Sequence, residues 1–231
     1  MTEQANTPQT PQTTAQKPKN YPTYSWFNVW VTTLTRPSVA TFTTFLQDRY
    51  AGPQRAILWL FGARFLVIWL PIALFALLIG KPGLIMLPFL PASGIAAVYT
   101  ITLILQTLIL QWLAKRLGGR GSYGQLIYAM SMFSAPLVIV SALVASLGFS
   151  LSVFLSLLFI LIYQLVLTGM ALRAVNGFSW RAAIATIGLL AGVYGGILYL
   201  IIRIILSLQG TATDLFAVLE MIGGLWTLPL L

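Results

Sequence analysis

Trp26, Trp30 and Leu34 recur at four-residue spacing, with Phe27 and Val31 beside them. After Arg36-Pro37 a second stripe follows at Val39, Phe42, Phe45 and Leu46. This spacing predicts two amphipathic helices broken at Pro37, since a proline removes a helix hydrogen bond and crowds the preceding turn. Each piece is too short to cross a bilayer, so residues 25–55 read as interfacial helices. The pattern leaves open whether they lie against lipid or against the protein's own cytoplasmic surface. Beyond them the periodicity gives way to five long apolar stretches, at 56–79, 93–113, 126–148, 150–172 and 182–206. A hydrocarbon core of about 30 Å needs about 20 residues of helix, so each of the five is long enough to span.

The third and fourth stretches are separated by argument rather than by charge. From Gly121 to Leu172 no residue is charged. One helix over that run would extend about 78 Å, more than any bilayer accommodates, so the run folds back. The small polar residues Ser146, Gly148, Ser150 and Ser152 mark the turn. Segment 80–92, with Pro82, Pro88 and Pro91, is too short and too broken to span and is expected at the surface, covered by neighbours. Residues 1–24 are rich in Thr, Gln and Pro and predict a disordered polar tail without an apolar signal segment. Residues 207–231 read as a C-terminal tail, with 214–222 as a short interfacial helix.

Charge orients these spans. Lys17, Lys19, Arg36, Arg49 and Arg55 precede span 1, Lys115, Arg116 and Arg120 follow span 2, and Arg173 and Arg181 follow span 4. Only Lys81 lies in a loop on the opposite side. Because cytoplasmic loops collect Lys and Arg, the N-terminus is expected in the cytoplasm and, with five spans, the C-terminus outside. The fold class predicted is therefore all-α: a polytopic bundle of five transmembrane helices over 56–206, preceded by amphipathic interfacial helices.

Composition then removes most chemistry. The 231 residues are 58% hydrophobic and only 7% charged, far below the roughly 25% of a soluble domain, which excludes a cytosolic enzyme. The net charge of +9 reads as topology rather than as nucleic-acid binding. There is no Cys and no His, and the four acids, Glu3, Asp48, Asp214 and Glu220, all lie outside the long apolar runs. Metal sites, cofactors, proton relays and catalytic residues are accordingly not expected. Gly118-Gly119-Arg120-Gly121 reads as a flexible basic loop, not a phosphate cradle.

A few polar and small residues remain inside the spans. Arg64 lies a third of the way into span 1, where an arginine costs about 2.5–3.5 kcal/mol on insertion scales. It either snorkels to the interface or pairs with a phosphate, a carboxylate or a helix carbonyl end. Gln106 in span 2 and Gln164 in span 4 either bond neighbouring helices or line a polar path. Gly188, Gly192 and Gly196 form a tandem GxxxG stripe that lets another backbone approach, from the same chain or another copy. Pro71 and Pro136 are expected to kink spans 1 and 3.

The order of certain motifs resembles a known family. Trp30 to Arg36-Pro37 and Phe42 precede span 1. Gly121-Ser122-Tyr123-Gly124 leads to Ala135-Pro136 in span 3, and Ala171-Leu172 is followed by Asn176-Gly177-Phe178-Ser179-Trp180-Arg181-Ala182. Over residues 26–206 these resemble the Yip (Ypt-interacting protein) family, and its prokaryotic branch more closely. The resemblance implies five spans and a non-enzymatic membrane protein that works through partners. Eukaryotic members carry Asp-Leu-Tyr-Gly-Pro before span 1. Here Asp48-Arg49-Tyr50-Ala51-Gly52-Pro53 has an extra residue, and that departure withholds GTPase binding from the transfer.

The expectation is thus a membrane scaffold or adaptor in membrane organisation or trafficking, in a bacterial cytoplasmic membrane. Its expected partners are the lipid bilayer and a membrane-protein partner or homo-oligomer, with no nucleic acid. The alternative is a small transporter, channel or lipid-handling protein with Arg64, Gln106 and Gln164 as its polar lining. Convergence of those side chains on one cavity favours the alternative, and separate helix contacts favour packing.

Overall fold

The computed structural model describes residues 22–148 and 150–225, with the side chains of 198, 201 and 205–225 excepted. The polar segment 1–21, Trp226 and the chain end lie outside the described residues. All described elements are helical: α1 (Trp26–Thr35), α2 (Val39–Leu46), α3 (Pro53–Leu78), a 3-10 turn (Pro82–Met86), α4 (Phe89–Arg116), α5 (Tyr123–Ala145), α6 (Leu151–Asn176) and α7 (Trp180–Leu225). Five helices are long and apolar enough to span a membrane: α3, α4, α5, α6 and the first part of α7.

Local chemistry sets the helix starts. The Ser25, Ser38 and Ser150 hydroxyls each accept a backbone N–H from the first turn of the helix that follows, which satisfies one of its orphan donors. Ser122 opens α5 with a capping box completed by Gln125. Pro53 starts α3, where its missing N–H costs nothing. The charge-free run breaks between Ala145 and Leu151, around Gly148 at φ +93°.

Several boundaries differ from the sequence reading. Residues 22–24, read as the end of the polar tail, are tied down: Pro22 accepts a hydrogen bond from the Arg49 N–H at 3.2 Å, and Tyr24 meets the Phe45 ring edge-on at 5.0 Å. In segment 80–92 the 3-10 turn packs on α3, with Trp69 Nε1 donating to the Ile85 carbonyl at 3.2 Å, and α4 already begins at Phe89. Residues 214–222 are no separate helix. They continue α7, because no proline interrupts the chain between 180 and 225. Within its fully described residues, α7 is long and apolar enough to span over Trp180–Ile204. α3 and α5 run through Pro71 and Pro136 as unbroken helices.

The core is concentrated at one end. α5 is the central helix, packed on α3, α4 and α6, and its first four turns are buried from Leu126 to Leu137. α1 packs on α5, and α2 packs on α6 and α5. Phe42 is fully buried against Phe133, with ring centroids 6.1 Å apart, and Trp59 lies between Trp30 and Tyr128. This end also gathers Lys115, Arg116, Arg120, Arg173 and Arg181 at the neighbouring helix ends and loops, and is called the basic end below. The two short helices therefore sit on the protein as a collar. Their inner residues Val29, Thr33, Phe42 and Phe45 are buried, while Trp26, Phe27 and Val31 stay exposed.

Candidate functional site: a basic-end cluster and an intramembrane cavity

Asp48 lies in the turn between α2 and α3, and its side chain is fully buried. Arg55, on the first turns of α3, donates from Nη1 to Asp48 Oδ2 at 2.6 Å and from Nη2 to the Tyr24 carbonyl at 2.7 Å. The Tyr50 N–H donates to Asp48 Oδ1 at 3.1 Å, and the Tyr128 hydroxyl reaches Oδ2 at 3.5 Å from α5. Arg55 also lies over the Trp59 ring, 4.7 Å from its centroid. Burying a carboxylate is costly unless it is paired and hydrogen-bonded, and here both conditions are met. The cluster joins the N-terminal segment, the α2–α3 turn, α3 and α5. Beside it opens a cavity of about 690 Å³, lined by Tyr24, Arg49, Tyr50, Gln54 and Arg55 among others.

A second network fixes the other side of the basic end. Gln111 Nε2 donates to Asn176 Oδ1 at 2.9 Å and to the Gly121 carbonyl at 2.8 Å. Asn176 Nδ2 donates back to Gln111 Oε1 at 3.2 Å, and the Gly121 N–H donates to Asn176 Oδ1 at 3.1 Å. A Cβ on Gly121 would meet Val175 side-chain and backbone atoms at 2.3 and 2.6 Å. The loop read as flexible is therefore clamped on its Gly121 side. The α6–α7 corner is fixed similarly, with Arg173 Nε donating to the Phe178 carbonyl and Trp180 pressed onto Gly169.

The intramembrane candidates separate. Arg64 and Gln164 line one cavity of about 210 Å³ between α3, α5 and α6, together with Ser134 and Ser141. Arg64 lies over the Tyr99 ring at 4.8 Å. Gln106 is half-buried on α4, outside this cavity. The glycine stripe finds no close partner among the described residues: Gly188, Gly192 and Gly196 are exposed, and a Cβ on any of them would meet no described atom within 4 Å. Within the chain α7 packs on α4 and α6.

Among the aromatic residues, Trp30 is half-buried against Trp59 and Trp26 stays on the outer face, both on α1. Arg36 ends that helix and Pro37 follows it. The Tyr163 hydroxyl donates to the Leu34 carbonyl, which fastens the end of α1 to α6.

The motifs Trp30 to Phe42, Gly121-Ser122-Tyr123-Gly124 and Asn176 to Ala182 thus all meet at the basic end. The family model of the Yip1 domain matches residues 31–202, most of the chain and, Trp30 apart, all three of these blocks. The chain belongs to the Yip1 domain family. Comparison with the curated proteins and with the solved structures finds no match. In this Yip1 domain the blocks supply the collar, the clamped α4–α5 loop and the α6–α7 corner. Asp48 and Gln111 complete the two networks, and the sequence reading singled out neither as a site. The signal for Asp48 was its position five residues before Pro53 and seven before Arg55, close enough for one turn to bring acid and base together.

Proposed function

We propose that this Yip1 domain protein is a non-enzymatic integral membrane scaffold or adaptor. It works through a membrane-protein partner or a second copy of itself in membrane organisation or trafficking. The observation that carries this reading is the two-sided collar. Its inner face is bound into the core through Phe42 and Phe45, while Trp26, Phe27 and Val31 face outward. Rigidly held aromatic side chains lose little entropy on binding, and arginine and aromatic residues dominate interface energetics. The cavity lined by Arg49, Tyr50 and Arg55 supplies the arginines at the same end.

The Lys and Arg distribution supports a cytoplasmic N-terminus and basic end, with the C-terminus outside. The proposed location is a bacterial cytoplasmic membrane, which rests on the resemblance to the prokaryotic branch in the sequence motifs. Shared lining by Arg64 and Gln164 favours the alternative, a small transporter, channel or lipid-handling protein, while Gln106 outside that cavity weighs against a continuous polar path.

Co-purification from native membranes in mild detergent, read by mass spectrometry, tests the proposal. The wild type is expected to carry a stoichiometric membrane protein or a second copy, and a Trp26→Ala/Phe27→Ala variant to lose it without a change in Tm. Wild-type protein that emerges alone with bound lipid overturns the scaffold reading and moves the test to flux in liposomes.

A further inference from the structure

Among the described residues Arg64 has no anionic partner. The ion pair among the described residues is Arg55–Asp48, at the basic end. Arg64 Nε is buried and meets no acceptor, and the Tyr99 ring gives the cation a favourable face but no hydrogen-bond acceptor. Eleven residues into α3, Arg64 sits about 17 Å along the helix from its first residue. A cation at that depth calls for a counter-charge.

Ser134 carries the second, independent observation. It is 2% exposed, and its hydroxyl has no hydrogen-bond partner among the described residues. On the same helix Ser131, Ser141 and Ser146 each bond back to a backbone carbonyl at 2.7, 3.0 and 2.7 Å. Ser134 instead lines the Arg64 cavity, with Gln164 across from it on α6. A guanidinium, a free hydroxyl donor and an amide thus converge from α3, α5 and α6.

The cavity continues. A space of about 410 Å³ shares Arg64, Val138, Ser141 and Leu157 with it and reaches Ala145. A further 510 Å³ shares Ala145 and Leu157 and extends to Ser150 and Phe154 at the α5–α6 turn. The walls are apolar, and Leu161 and Phe154 at the edge are exposed on the bilayer-facing side of α6.

We infer that Arg64, Ser134 and Gln164 form a site for the phosphate of a membrane phospholipid, whose acyl chains lie along the apolar cleft. Phosphate accepts several charge-assisted hydrogen bonds from a guanidinium and a hydroxyl at once. The bilayer supplies that group together with the apolar tail that the walls accept. Among the described residues no carboxylate lines the cleft to pair with the ammonium of a zwitterionic headgroup. Net-anionic lipids are therefore preferred.

The site is tested with purified full-length protein by native mass spectrometry and thermal melts, titrated separately with phosphatidylglycerol, phosphatidylcholine and inorganic phosphate. Wild type is expected to retain one phosphatidylglycerol and to gain Tm from it, since a ligand that binds only the folded state stabilises it. Arg64→Gln and, independently, Ser134→Ala are expected to weaken retention about 10-fold or more, the scale of a lost charge-assisted bond. Arg64→Gln removes a half-buried cation with no anionic partner among the described residues, so its lipid-free Tm should change little. Arg181→Gln, away from the cleft, should retain lipid as wild type does. Equal retention of both lipids by wild type and Arg64→Gln overturns the inference. So does displacement of the lipid by inorganic phosphate, which would assign the site to a soluble anion. The outcome does not depend on the scaffold reading, because a protein without a captured partner still exposes this cleft to lipid.

Discussion

Gln111 and Asn176 face each other as a reciprocal amide pair, donating in both directions at 2.9 and 3.2 Å across 65 positions of chain. The pair encloses Gly121 and closes the basic end between α4, α5 and α6. Asn176→Ala strands Gln111 Oε1 and the Gly121 N–H, while Gln111 Nε2 keeps the Gly121 carbonyl. Each buried group left unpaired costs about 1–3 kcal/mol, so a clear fall in Tm in detergent is expected. Adding Gln111→Leu should cost less than the sum of the single changes, and a double-mutant cycle reads that coupling.

Asp48 and Arg55 behave as a unit. Asp48→Ala leaves Arg55 beside the core with the Tyr24 carbonyl as its remaining hydrogen-bond acceptor and the Trp59 ring beneath it, and removing one partner of a buried pair costs about 3–5 kcal/mol. The expected result is loss of collar docking, seen as faster proteolysis of residues 25–50 than in wild type. Tyr128→Phe removes only a 3.5 Å contact and should cost under about 1 kcal/mol.

The glycines divide by environment. Gly121→Ala forces Val175 to shift, including its backbone carbonyl, and overpacking of this kind costs about 1–3 kcal/mol. Gly192→Ala meets open space and should leave the Tm of the single chain unchanged or raised, since alanine favours helix. A drop in Tm for Gly192→Ala in a preparation shown to be oligomeric would mean that the stripe is used between copies.

The spans were legible because hydropathy over twenty residues is a one-dimensional signal, and the Gly121–Leu172 run shows that length alone forces a turn. Pairings across the chain were not legible in that way. Gln111 and Asn176 lie near span ends, where an amide reads as ordinary solvation, and only the antiparallel return of α6 brings them together. Arg64 and Gln164 stood out as polar in apolar runs, but their shared cavity depends on helix rotation, which the composition of each span leaves open. Gly188, Gly192 and Gly196 form a stripe in any helix. What faces the stripe is decided by neighbouring helices, and none of the described ones approaches it.

Topology has a clean test because the natural chain has no cysteine. Single substitutions Arg120→Cys and Ser150→Cys, on loops at opposite ends of α5, should react with an impermeant thiol reagent from opposite sides of sealed vesicles. With the basic end cytoplasmic, Arg120→Cys is protected in intact cells and Ser150→Cys is labelled. The same side for both would contradict the five-span arrangement.

The most direct test of the scaffold reading is site-specific photo-crosslinking in native membranes. A photoreactive side chain is placed at Phe27 on the collar's outer face, at Tyr50 beside the basic-end cavity and, as a control, at Leu78 at the far end of α3. The account predicts discrete protein adducts from Phe27 and Tyr50, identifiable as a membrane protein or a second copy, and only lipid adducts from Leu78. Lipid adducts alone from all three positions would contradict it.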